Sequence, residues 1–272
     1  MRRTLDSETL AVLKFAANLT MLFNELPFLD RFAAAKEAGF SGVEYLFPYE
    51  FDKAVLAEKL QQHGLTQVLH NLPAGNWSAG ERGIAILPDR VKEFRDGVMH
   101  AIDYAKALGC RQLNCLVGLT PEGADPAELH ATLVANLRFA AEALAKQRIR
   151  LLIEPINTRD IPGFFLTGTA QALQIISDVK SDNLFIQYDI YHMQIMEGDL
   201  APTMKKHLDR IAHIQIADNP GRHEPGTGEI NYPFLFQYLD EIQYRGWIGC
   251  EYKPKTTTAE SLGWYERQTV GA

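Results

Sequence analysis

Leu151-Leu152-Ile153-Glu154 is an apolar run of strand character that ends on a carboxylate, and the pattern recurs three times further along the chain. Leu184-Phe185-Ile186-Gln187-Tyr188-Asp189 ends on an aspartate, Ala212-His213-Ile214-Gln215 on a glutamine, and Trp247-Ile248-Gly249-Cys250-Glu251 on a glutamate. The four terminal residues stand 35, 26 and 36 positions apart. Each interval accommodates one strand–loop–helix–loop unit, and helical patterns fill the intervals. Parallel strands joined by helices present their functional groups at the carboxyl ends of the strands. In a closed barrel four consecutive strand ends surround one point. The spacing therefore predicts a cation held by Glu154, Asp189, Gln215 and Glu251 at the mouth of a barrel. One carboxylate at a strand end is more often a helix cap or a solvated charge; four in register are harder to dismiss.

The same rhythm runs through the whole chain. Strand-like runs lie near 12–18, 42–45, 67–70 and 112–116, ahead of the runs near 150–154, 184–189, 211–216 and 247–251. Helical patterns lie near 27–38, 52–63, 89–108, 126–147, 168–179, 199–208, 232–244 and 258–266. Ala38-Gly39 and Leu108-Gly109 read as glycine stops, and Asp52 and Asp199 as N-caps. Eight strands alternating with eight helices in 272 residues predict an α/β fold, a single (β/α)8 TIM-barrel domain over 1–272. Strand alternation then assigns faces. Leu152 with Glu154, His213 with Gln215, and Gly249 with Glu251 point inward, whereas Leu151, Ile153, Ile248 and Cys250 point to the helices. The first four strands add the polar ends Asn18, Glu44, His70 and Asn114.

Bulk composition excludes several classes. Hydrophobic residues make up 46% of the chain and charged residues 22%, as in an ordinary globular protein. The net charge is −7, from 27 basic and 34 acidic residues, with no basic run, which argues against a nucleic-acid partner. A small anionic substrate needs only one or two local cations. The cysteines, Cys110, Cys115 and Cys250, are odd in number and form no C-x-x-C pair, so they read as reduced, buried thiols. Met1-Arg2-Arg3 is basic, but Asp6, Glu8 and Lys14 break up the next stretch, so it does not read as a signal peptide; no apolar run approaches a bilayer span. The expectation is a cytoplasmic protein without a membrane partner; assembly into a homo-oligomer is compatible with the sequence.

Two long connections break the rhythm. Segment 71–88 contains Trp77 and Arg82, and segment 219–231 contains Arg222 and the run Gly226-Thr227-Gly228-Glu229. Connections this long are usually lids, binding loops or disorder, and Trp77 and Arg222 favour binding. Gly226-Thr227-Gly228 is too short for a phosphate cradle.

Two glutamates, an aspartate and a glutamine are hard oxygen donors that suit Mg²⁺ or Mn²⁺ better than Zn²⁺. A metal so held can chelate a carbonyl and an adjacent hydroxyl while a carboxylate moves a proton between their carbons. That is the chemistry of aldose–ketose isomerisation, with Glu154 and Glu251 facing each other across the rim. In the alternative, both are metal ligands only and a bound water moves the proton. His192 is a candidate hydrogen-bonding partner of the substrate, with a structural histidine as the alternative. Lys253 and Arg222 are candidate anion anchors.

These residues sit in longer motifs. The segments 15–23, 42–49, 70–75 and 81–83 resemble the hydroxypyruvate isomerase family, and so do 153–157, 187–194, 226–232 and 249–254. The resemblance runs from about Leu13 to Trp264. It implies a xylose isomerase-like barrel, glyoxylate metabolism, and interconversion of hydroxypyruvate with 2-hydroxy-3-oxopropanoate. The family's proton-transfer glutamates match Glu154 and Glu251, and the wider superfamily's metal ligands match Glu154, Asp189 and Glu251. A fourth ligand that is often histidine is Gln215 here, which favours Mg²⁺ or Mn²⁺. Substrate contacts are expected from His70, Asn114, His192, Arg222, Lys253 and Glu44. A related group isomerises 2-oxo-tetronate, one carbon longer, and segments 70–73 and 157–163 resemble the hydroxypyruvate group more closely. Two rivals come from other classes. A barrel nuclease needs more histidines and a basic surface, and a non-catalytic sugar-acid binding protein needs no paired glutamates.

Overall fold

The structure, a computed structural model, describes residues 13–269. Val12, expected to open the first strand, and the start Met1-Arg2-Arg3 lie outside the described residues. Eight parallel strands close a barrel in chain order: β1 (Lys14–Asn18), β2 (Gly42–Glu44), β3 (Thr66–Asn71), β4 (Gln112–Cys115), β5 (Arg150–Ile153), β6 (Leu184–Asp189), β7 (Ile211–Ile216) and β8 (Trp247–Cys250). The helices are α1 (Arg31–Glu37), α2 (Lys53–His63), α3 (Val91–Leu108), α4 (Pro126–Ala145), α5 (Thr169–Val179), α6 (Ile190–Met196), α7 (Leu200–Lys206), α8 (Tyr232–Glu241), α9 (Thr258–Ser261) and α10 (Gly263–Thr269).

Local chemistry explains most boundaries. The Asp52 carboxylate accepts from the Ala54 N–H at 2.7 Å and starts α2, and Asp125 does the same for α4 through Ala127 at 2.9 Å. Gly109, at φ +66, ends α3 in the left-handed region where a side chain is strained. Asp199 departs from expectation: it is itself left-handed (φ 48) and its side chain caps nothing. The helix α6 has no counterpart among the expected helices. Asp189 starts it by accepting from the Tyr191 N–H at 2.8 Å. No helix among the described residues is long and apolar enough to cross a membrane.

The core has two parts, as the alternation requires. Leu151, Ile153, Ile248 and Cys250 belong to the large layer between strands and helices. Ala16, Val68, Leu69, Leu152 and Ala212, with Phe185 and Trp247 against them, plug the barrel interior. Cys110, Cys115 and Cys250 are free and buried. The pairing of β2 with β3 slips between Val43 and Glu44, so that β3 carries one extra residue. Val68 and Leu69 therefore both join the interior plug, and every later residue of β3 changes face.

Candidate active site

The strand ends meet above that plug in two polar tiers. In the lower tier Glu44 is fully buried, and three nitrogens from the barrel wall surround its carboxylate. Asn18 Nδ2 donates at 3.0 Å, Gln215 Nε2 at 2.8 Å, and His213 Nε2 lies 2.6 Å away. A Cβ on Gly249 would collide with the Glu44 carboxylate, so the β8 backbone can approach this close only as glycine. The expected place of Glu44 is at the substrate; its partners instead make it the centre of the barrel interior. The same contacts orient Gln215. Its amide nitrogen is committed to Glu44, so its Oε1 turns to Gln187 Nε2, 2.6 Å away.

The upper tier holds Glu154, Asp189, His192, Arg222 and Glu251, all buried or nearly so. Ligand atoms of Glu154, Asp189 and His192 lie within 4.8 Å of one another. Glu251 stands beside this trio across the Arg222 guanidinium, whose Nη2 is 3.4 Å from Glu251 Oε2 and 3.8 Å from Asp189 Oδ2. Arg222 also reaches Asp160 at 3.5 Å and lies over the Tyr191 ring at 5.2 Å. Asn114 Nδ2 donates to Glu154 Oε2 at 2.9 Å.

Crowding acids in a buried space raises their proton affinity. Burial, then the charges of Glu251 and Asp189, hold the Glu154 carboxyl well above the usual carboxylate range. Burial pushes Glu251 up to about 8, with Arg222 opposing, and Asp189 up to about 6. Burial works against the Arg222 charge, yet Glu251, Asp189, Asp160 and Glu154 together raise its proton affinity.

His192 has a defined tautomer. Asn157 Oδ1 accepts from the backbone N–H groups of Arg159 and Asp160 at 3.0 and 2.8 Å, which turns its Nδ2 to His192 Nδ1 at 2.6 Å. Nδ1 is thus an acceptor and the proton resides on Nε2, the atom 3.6 Å from Asp189 and 3.9 Å from Glu154. Burial, then Arg222, holds this imidazole neutral, well below the ordinary histidine range. His192 therefore offers the cluster an N–H.

The remaining candidates divide. His70 lies on the outer face of β3, in register with Leu113 of the outer layer, and its Nδ1 lies 3.4 Å from the Tyr49 hydroxyl. Burial lowers it to about 4. The slip in β3 moves it off the inward face that simple alternation gives it. Lys253 lies beyond the end of β8, and its exposed side chain does not join the cluster. Its backbone N–H donates to the Arg222 carbonyl at 2.8 Å, and its carbonyl meets His223 Nδ1 at 2.8 Å. Gln187, absent from the expected site residues, is the inward neighbour of Asp189 and fixes Gln215.

Both long connections are built structures. The guanidinium of Arg82 stacks on Trp77 at 4.0 Å, and Trp77 packs edge-on to Phe47 at 5.1 Å. The connection after β7 folds around the buried Asp218 carboxylate, which accepts from the N–H groups of Asn219, Gly226, Gly228 and Ile230 at 2.8–3.0 Å. That scaffold delivers Arg222, at φ 54, to the cluster.

The donor chemistry fits a hard divalent ion. Asp189 Oδ2 is buried with no hydrogen-bond partner, a costly state for a carboxylate oxygen unless a cation completes it.

Comparison with known proteins agrees with the barrel. A profile of the xylose isomerase-like TIM barrel matches residues 32–268, and the chain belongs to that family, in its hydroxypyruvate isomerase branch. It is 59% identical over 255 residues to the hydroxypyruvate isomerase of Escherichia coli (strain K12), covering 94% of this chain and 99% of that one. It is 51% identical over 251 residues to a 2-oxo-tetronate isomerase of Cupriavidus necator, covering 92% and 96%. A Brucella melitensis crystal structure described as an AP endonuclease of family 2 superposes with a TM-score of 0.92 at 49% identity, covering 94% and 98%. The chain is an isomerase of the intramolecular oxidoreductase class.

Proposed function

We propose that the chain interconverts hydroxypyruvate and 2-hydroxy-3-oxopropanoate by proton transfer through Glu154 and Glu251. The observation that carries this reading is the pair of buried glutamates beside Asp189, both with proton affinity raised above the ordinary carboxylate range, Glu251 to about 8. A general acid–base pair works best when its proton affinity lies near the operating pH. The 59% identity to a hydroxypyruvate isomerase, against 51% to a 2-oxo-tetronate isomerase, favours the three-carbon acid.

Glu154, Asp189, Gln215 and Glu251 are the proposed holders of Mg²⁺ or Mn²⁺, which when bound polarises the substrate carbonyl and acidifies the neighbouring C–H. One ionised glutamate removes a proton from C3 of hydroxypyruvate. The C–H electrons form a C2–C3 double bond, and O2 takes the charge. The O3 proton passes to O2, and a glutamic acid, the same or the opposing one, returns a proton to C2. The product carries an aldehyde at C3 and a hydroxyl at C2. The His192 N–H donates to a substrate oxygen as charge develops there, and Arg222 holds the substrate carboxylate. Breaking its contacts to Glu251 and Asp189 frees the guanidinium for that role.

Proton NMR in D₂O with hydroxypyruvate and 2-oxo-tetronate, in Mg²⁺, Mn²⁺ or EDTA, tests this. Isomerisation of hydroxypyruvate with deuterium uptake, lost in EDTA, is the expected result. Preference for the longer acid keeps the chemistry and changes the substrate. No exchange on either acid overturns the reading.

A further inference from the structure

Asn71 is the residue that takes the inward place at the end of β3, because the extra residue at Val68 shifts the alternation by one. It is in register with Asn114 of β4. Its backbone is pinned on both sides: its N–H donates to the Leu46 carbonyl at 2.9 Å, and its carbonyl accepts from the Tyr49 hydroxyl at 2.6 Å. The side chain is 1% exposed, yet its Nδ2 has no hydrogen-bond partner. The neighbouring Asn114 Oδ1 is also buried and unpartnered. Two orphan amide atoms on residues in register across adjacent strands have no structural explanation in the barrel wall.

We infer that Asn71 and Asn114 form a subsite for a substrate hydroxyl, that on C3 of the 2-oxo-3-hydroxy acid; this rests on the isomerase reading above. Asn114 cannot turn over, because its Nδ2 is held by the Glu154 carboxylate at 2.9 Å. Its Oδ1 is therefore left as a buried acceptor that needs a donor. A carboxylate or a carbonyl oxygen only accepts, so both are repelled there. An ammonium only donates and leaves Asn71 Nδ2 unmatched. A hydroxyl donates to Asn114 Oδ1 and accepts from Asn71 Nδ2. Adjacent strands lie about 4.8 Å apart, so the two residues in register are within reach of one small polar group. Since Asn114 also holds Glu154, the carbon that bears this hydroxyl faces Glu154. The geometry thus assigns Glu154 to the proton on C3 and leaves C2 to Glu251.

Calorimetric titration with D-glycerate and D-lactate, which differ only in the C3 hydroxyl, tests the subsite without requiring turnover. With Mg²⁺ present, the native chain should bind glycerate about 10-fold more tightly than lactate, the yield of a paired neutral hydrogen-bonding group. In Asn71→Ala, and in Asn71→Leu, which keeps the branched skeleton without the amide, the ratio should fall to about 2-fold or less while lactate affinity stays near native. An unchanged ratio in both variants overturns the subsite and leaves the isomerase reading standing. Equal loss of both acids makes Asn71 a support of the fold and also overturns it. A native chain that binds neither acid overturns the subsite, whereas the isomerase reading falls only if deuterium exchange on both oxo acids, measured apart, is absent.

Discussion

Glu44 shows how this barrel keeps a buried carboxylate. Desolvation of an anion is costly, and the cost is met here by nitrogens of Asn18, His213 and Gln215 converging from β1 and β7. Glu44→Ala strands all three. Urea unfolding should show a loss of about 3–5 kcal/mol, the scale for removing one partner of a buried polar cluster. A loss within the ordinary surface-substitution range would contradict this account. The same variant releases Gln215, so Mn²⁺ affinity should fall with stability. Glu251 is the opposite case, a carboxylate with the proposed role of moving the substrate proton. Glu251→Gln keeps its shape and discards its proton transfer. Turnover should fall by about 10²–10⁴-fold with circular dichroism unchanged and the melting temperature not lowered. Near-native deuterium exchange in that variant would remove Glu251 from the mechanism.

Elements carried most of what the sequence made legible. Strand ends at Asp189 and Ile216, helix starts after Asp52 and Asp125, and the inward set Leu152, His213 and Gly249 all follow from period-2 alternation and capping chemistry. What the sequence concealed was an added residue in β3 and another in β7, where the pairing with β6 slips between Ile186 and Gln187; the one in β3 decides the mouth. An extra residue leaves composition and apolar content unchanged but exchanges His70 for Asn71 at the mouth. The short helix α6 was concealed for another reason: Asp189 serves as strand end, cap and cluster member at once, and capping alone sets the place of His192. Segment 219–231 was legible as a long connection carrying Arg222, but nothing in the sequence marked Asp218 as its organiser. Asp218→Ala removes the acceptor shared by four backbone N–H groups. The loop should become a site of limited proteolysis. The KM for hydroxypyruvate should rise by about 10-fold, with kcat less affected, because Arg222 loses its seat. Native protease resistance with a native KM would show that the loop holds its form without that centre.

At the scale of the whole molecule, closing the barrel places Glu154, Asp189 and Glu251 in one buried space, where the Arg222 guanidinium partly neutralises them. Folding therefore raises the proton affinity of these acids, Asp189 to about 6 and Glu251 to about 8, chiefly through burial. The unfolded chain releases the same protons near pH 4, the usual carboxylate range. Between those limits the folded state binds more protons than the unfolded state, so stability falls as pH rises. The contribution is complete below the ordinary carboxylate range and is lost as pH passes through about 6 and then about 8. For protein treated with EDTA, the melting temperature should accordingly decline from about pH 5 to about pH 9. Glu251→Gln should flatten the upper part of that decline, because the amide does not titrate. Mn²⁺ should restore stability most at the alkaline end, where it replaces protons already lost, and its affinity should climb over the same window. Differential scanning fluorimetry across that range, with EDTA and with Mn²⁺, measures both slopes. A melting temperature in EDTA that holds level or rises between about pH 6 and about pH 8 would mean that the three acids are not crowded in solution as they are in this structure.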